Sequence, residues 1–133
     1  MRGSLLTIVL SLIALPALAD EAPPIRPGLW EFAMAGMPHK QNVCLKPDMV
    51  KNIQSLSQRG NEGSDCKTSE QSKSGATQVF KVSCTKPQKY EATVTTTINS
   101  PDNFSIQQDY SMEQNGRAQK GSLKINYKRL GDC

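Results

Sequence analysis

The sequence predicts a single mainly-β domain, an antiparallel meander of about seven strands curled into a barrel or half-barrel, with one short helix and two disulfides. From residue 66 onward apolar and polar residues alternate with period two, and the registers set by successive tight turns agree with one another. One earlier stretch, with Met49, Ile53 and Leu56 at i, i+4 and i+7, follows helical spacing instead. Four Cys behind an export-type leader read as a disulfide framework.

Met1 and Arg2 give a short basic start, Leu5 to Leu15 an apolar run, and Pro16-Ala17-Leu18-Ala19 a small-residue cleavage site, so residues 1–19 are expected to be a signal peptide cut near Ala19-Asp20. The expected location is periplasmic or secreted. The apolar run is well short of the roughly 20 residues a membrane span needs, no later stretch approaches that length, and no Cys stands at the cut to take a lipid. Without Arg2 the mature chain carries 15 basic and 12 acidic residues, a net charge of +3 without runs of one sign. That balance argues against a nucleic-acid partner and a polybasic membrane binder.

Residues 20–27 hold three Pro and read as an extended lead-in, ahead of a single disulfide-stapled β-domain over 28–133. Leu29 to Ala35 alternates, with Trp30, Phe32 and Met34 on one face, and Gly36-Met37-Pro38 turns it into a strand from about His39 to Leu45. Pairing Met34 with Lys40 sets Cys44 beside Trp30. Pro47-Asp48 then opens a one-stripe amphipathic helix over about residues 47–58, followed by a polar loop from Asn61 to Asp65.

Strands over about Cys66 to Ser72 and Thr77 to Cys84 turn near Gly75, which sets Cys66 opposite Cys84. A second turn at Lys86-Pro87-Gln88 pairs Cys84 with Tyr90, Val82 with Ala92 and Phe80 with Val94. In the strand from Tyr90 to Asn99, Tyr90, Ala92, Val94, Thr96 and Ile98 share one face, and Phe104, Ile106, Gln108, Tyr110 and Met112 continue it. Asn115-Gly116 is the preferred two-residue hairpin turn and aligns Phe104 with Tyr127, Ile106 with Ile125 and Gln108 with Leu123. A one-residue slip would turn every apolar residue to water. A twisted sheet of this length buries such a face by curling, whereas an immunoglobulin-like sandwich needs longer connections than these.

Four Cys allow three connectivities. Cys66 and Cys84 meet on the apolar face, Cys44 is expected to point inward too, and Cys133 is left to pair with Cys44. No C-x-x-C or clustered Cys/His spacing suggests a redox or metal-binding pair.

No G-x-S-x-G, H-E-x-x-H, P-loop or dinucleotide fingerprint is present, so no catalytic set, cofactor or metal is expected. His39, the only imidazole, sits beside Met37-Pro38 as an exposed turn residue, and no triad or His-rich metal site assembles around it. Asp109 and Glu113 point outward, opposite Ser122 and Arg117 or Ala118, as part of a solvated strand face that also carries Lys81, Lys124 and Lys128. Trp30, Tyr90, Tyr110 and Tyr127 share the inward face, where they either line a ligand cavity or fill the core. Gln108 is the polar residue in that set and either bonds a neighbouring tyrosine hydroxyl or marks a pocket rim.

Pro27-Gly28-Leu29-Trp30-Glu31, Cys44-Leu45-Lys46-Pro47, the single Cys at 66 and 84, Asp109-Tyr110 and the closing Gly131-Asp132-Cys133 resemble the bacterial periplasmic family catalogued as domain of unknown function 3617. The resemblance implies a small exported protein with the four-Cys pattern and brings no activity with it. Ser72-Lys73-Ser74-Gly75-Ala76 also resembles the loop by which some small periplasmic β-barrel proteins inhibit C-type lysozyme, but a hairpin turn requires such residues anyway. An inhibitor of a basic enzyme would also gain from a negative surface, which this chain lacks. The expected role is a non-catalytic binding module for a small apolar ligand or an envelope protein partner. An inhibitor or accessory protein acting through residues 72–76 is the alternative, and a small hydrolase the third.

Overall fold

The computed structural model describes residues 24–53, 56 and 65–133. The expected leader, the start of the lead-in, most of the polar loop and positions 54–55 and 57–58 of the expected helix lie outside them. Seven antiparallel strands form one sheet: β1 (Gly28–Met34), β2 (Lys40–Leu45), β3 (Cys66–Ser74), β4 (Thr77–Cys84), β5 (Tyr90–Ser100), β6 (Asn103–Gln114) and β7 (Arg117–Gly131). Their order is β2-β1-β7-β6-β5-β4-β3. Thus β3 to β7 run as a meander, and the β1–β2 hairpin joins it through β1 beside β7. The sheet is not closed, because β2 and β3, successive along the chain, occupy opposite edges.

The expected registers of the second half are those of the structure. Cys66 faces Cys84, Val82 faces Ala92, Phe80 faces Val94, Phe104 faces Tyr127 and Gln108 faces Leu123. Asn115 and Gly116 adopt φ of 54° and 74°, the left-handed pair that lets a two-residue turn follow the strand twist. The β3–β4 pairing reaches its register by a less direct route. A regular ladder from the Gly75-Ala76 turn would set Cys66 against Thr85; a bulge between Ser69 and Ser72, with Glu70 at φ 50°, shifts it by one residue.

Two expectations about the first hairpin and the helix are corrected. The β1–β2 turn is one residue tighter than pairing Met34 with Lys40 assumes: Ala33 faces Lys40 and Leu29 faces Cys44. By the period of two, Cys44 therefore points away from Trp30, and it is exposed. The helix, α1 (Pro47–Lys51), ends at Asn52, whose φ of −130° leaves the helical region. Asn side chains compete for backbone hydrogen bonds and so interrupt helices. The apolar stripe still reaches the core, with Ile53 buried and Met49, Val50 and Leu56 packed against it.

One face of the sheet, the inner face, carries the core: Trp30, Leu45, Phe80, Val82, Cys84, Ala92, Val94, Ile98, Phe104 and Ile106, which cluster with Ile53 and lead-in residue Ile25. Thr96, buried among them, lies in the same inward set. The outer face is polar. Asp109 faces Ser122 and accepts a 2.8 Å hydrogen bond from its hydroxyl, and Glu113 faces Ala118.

Candidate functional site

Cover over the inner face is uneven. Val94 and Phe104 are wholly buried beneath it, whereas Phe32 and Met34 on β1, Leu123 and Ile125 on β7, and Gln108 and Tyr110 on β6 are only half-buried. These six share one face: Phe32 faces Tyr127, Met34 faces Ile125, Gln108 faces Leu123 and Tyr110 faces Gly121. Apart from Gln108 they form an apolar strip beside the covered core. A Cβ on Gly121 would land on the Tyr110 hydroxyl, so glycine there lets the Tyr110 ring lie across β7.

The five expected lining residues fall into two groups. Trp30 is wholly buried, tilted against Phe104 at 5.2 Å, and Phe104 stacks on Tyr127 at 4.4 Å. The Trp30 Nε1 donates to the Arg26 carbonyl at 3.1 Å. In the second group, the Gln108 Nε2 donates to the Tyr90 hydroxyl at 2.7 Å, and the Tyr90 and Tyr110 rings stack with centroids 6.1 Å apart. The groups are separated along β6 by the step from Phe104 to Gln108, about 13 Å of strand. Burial, reinforced by the Tyr110 phenol and opposed by the Gln108 hydrogen bond, pushes the Tyr90 phenol above its ordinary value. Trp30 thus anchors the core, and Tyr90 and Gln108 border the strip beside Tyr110. The inward pattern of β1 and β7 places Phe32, Met34, Leu123 and Ile125 on this face, but alternation alone does not say how far the cover extends over them.

The cysteines pair as expected: Cys66 with Cys84 across 4.0 Å between Cα atoms, and Cys44 with Cys133 across 5.7 Å. The second bridge lies with the motifs that mark the ends of the domain. A Cβ on Gly28 would land on the Gly131 carbonyl oxygen, and the Arg129 Nε donates to the Pro27 carbonyl at 2.9 Å. The Arg129 guanidinium also reaches Asp132, and Arg26 pairs with Asp102 in the β5–β6 turn. Pro27-Gly28-Leu29-Trp30, Cys44-Leu45 and Gly131-Asp132-Cys133 therefore meet in one clasp that ties β7 to the first hairpin.

The 72–76 segment forms the β3–β4 hairpin end. Ser72, Lys73 and Ser74 are exposed at the close of β3, while Gly75 and Ala76 are half-buried and the Ala76 carbonyl accepts from the Ile98 N–H at 2.8 Å. On the outer face a shallow hollow of about 560 Å³ runs past Ser69, Lys81, Glu91, Thr93, Asp109 and Lys120. Its side chains are of mixed charge and face solvent.

Residues 25–133 match the family described as Protein of unknown function (DUF3617). No curated protein and no solved structure matches the chain.

Proposed function

The chain belongs to the DUF3617 family of proteins of unknown function, and we propose that it is an exported, non-catalytic binding module that takes one small, apolar, uncharged ligand on the inner face of its sheet. The carrying observation is the half-buried strip of Phe32, Met34, Leu123, Ile125 and Tyr110 beside a fully covered core. Apolar area left open next to such a core gains about 25 cal/mol per Å² when a ligand excludes water from it. The polar border suits a neutral group. Once Gln108 donates to Tyr90, its carbonyl oxygen and the Tyr90 O–H are left to face a hydroxyl or an amide. The leader pattern and the two disulfides support an extracytoplasmic setting.

The test uses the disulfide-bonded protein and an uncharged phenylnaphthylamine fluorophore, with an anionic naphthalene sulfonate for comparison. The expected result is enhanced emission from the neutral probe alone, abolished in Leu123→Glu and Ile125→Glu. An unresponsive neutral probe, or equal binding by both variants, overturns the reading. Native mass spectrometry of protein drawn from the periplasm of its own host then gives the mass of the natural ligand.

A further inference from the structure

We propose that the tip of the β1–β2 hairpin binds one copper(I) ion through the thioethers of Met34 and Met37 and the imidazole of His39. The hairpin holds the three within six residues of one turn. Ala33 faces Lys40 in the last pair of the ladder, and the same register carried one step further would set Met34 against His39, on the side of the hairpin that holds Trp30 and Phe32. Residues directly opposite in such a pair have Cβ atoms about 4.5–5.5 Å apart, the span a shared metal ion requires. Met37 lies in the connecting turn Ala35 to Pro38.

That turn is held without an ion. The Met37 N–H donates to the Met34 carbonyl at 3.1 Å, Gly36 takes φ of 84°, and the Ala35 N–H donates to the Lys124 carbonyl at 2.9 Å, fixing the tip to β7. Pro38 stiffens its exit. Met37 is 59% exposed, a thioether with little packing role, and among the described residues no hydrogen bond or ion pair engages His39. Little ordering is left for the metal to impose.

Two thioethers and an imidazole form a soft, uncharged donor set, which suits a monovalent d¹⁰ ion and lacks the carboxylates that calcium, magnesium or manganese prefer. The carboxylate nearest along the hairpin, Glu31, is paired with Lys40 at 3.0 Å. All four cysteines are in disulfides, so no thiolate competes for the ion.

The disulfide-bonded protein is titrated with copper(I) under argon against bicinchoninate, and methyl and ring NMR resonances are followed with silver(I) as a redox-inert stand-in. One equivalent is expected to leave the chelator, shifting the Met34 and Met37 ε-methyls and the His39 ring while those of Met49 and Met112 stay in place. Met37→Leu, Met34→Leu and His39→Ala are each expected to weaken binding about tenfold or more, as loss of a metal-site residue typically does, and Met112→Leu to leave it unchanged. Met37 and His39 are exposed turn positions, so their variants keep the fold. Failure to draw copper(I) from the chelator, shifts centred on Met49 or Met112, or Met37→Leu and His39→Ala binding as the unaltered protein does, overturns the proposal.

Discussion

Trp30 is the residue on which the inner face closes. It is wholly buried, touches Phe104, and its indole N–H is satisfied by the Arg26 carbonyl, so its packing also fixes the lead-in. Trp30→Ala is expected to cost about 3–5 kcal/mol, the usual loss when a large aromatic leaves a cavity; a urea midpoint that scarcely moves would show that the core closes elsewhere. Tyr90 makes a second prediction at this scale. Its phenol is raised above 10.0, chiefly by burial, so the neutral form is favoured in the fold. Its contribution is complete below the unfolded value and is lost as the pH climbs through the folded one. In an ultraviolet titration, Tyr90→Phe is expected to remove a tyrosine ionisation that lies above the ordinary phenol value, and a curve unchanged but for amplitude would count against the assignment. Which residues of one strand share a face was legible, since alternation fixes a face. How deeply each is buried was not: Trp30 and Phe32 share a face, yet Trp30 is wholly buried in the cluster that holds Ile25, Leu45 and Ile53, and Phe32 is only half-buried. The two thioethers at the first turn carry no His, Cys or carboxylate spacing, and in the alternation Met34 reads as an apolar strand residue.

Among the elements, turn chemistry decides how far sequence reasoning reaches. Where a turn has a strong signature, as at Asn115-Gly116, the register follows directly; where the loop length is ambiguous, as at Ala35 to Pro38, a one-residue difference moves Cys44 to the other face. The β3–β4 hairpin shows an error and its compensation, because the bulge returns Cys66 to Cys84. Deleting Glu70 removes the extra residue and lets a regular ladder from the Gly75-Ala76 turn present the two cysteines to each other directly. The deletion variant is therefore expected to keep the Cys66–Cys84 bridge in peptide mapping. It loses only the exposed Glu70–Lys81 ion pair, a kind of contact generally worth about 1 kcal/mol or less. Inserting one Ser after Gln71 instead turns Cys66 to the opposite face, and free thiols are expected there. A bridge intact in the insertion variant would show that β3 slides freely at this edge.

For the whole molecule, the open sheet makes the clasp matter. With β2 at one edge, the first hairpin joins the sheet through β1 beside β7, and Cys44–Cys133 reinforces that seam by closing 89 residues of chain separation. In the chain-entropy account a loop of that size contributes about 4–5 kcal/mol, so Cys44→Ser with Cys133→Ser is expected to lower the melting temperature more than loss of the 18-residue Cys66–Cys84 loop does. The ion pairs of the clasp add a pH dependence. Arg26, mainly by its hydrogen bond, holds the Asp102 carboxyl below its ordinary 3.8. The stabilisation is therefore present in full above that value and is lost as the pH falls through the lowered one. Because both side chains are exposed the effect is modest and salt-sensitive. Thermal melts between pH 5 and pH 2, a window spanning the ordinary carboxylate range, are expected to fall less steeply for Asp102→Asn than for the unaltered protein, and raised salt should narrow the difference. Parallel curves would show that the seam is carried by the disulfide and by Trp30 alone, and that Arg26 holds the lead-in through its backbone contact to Pro101.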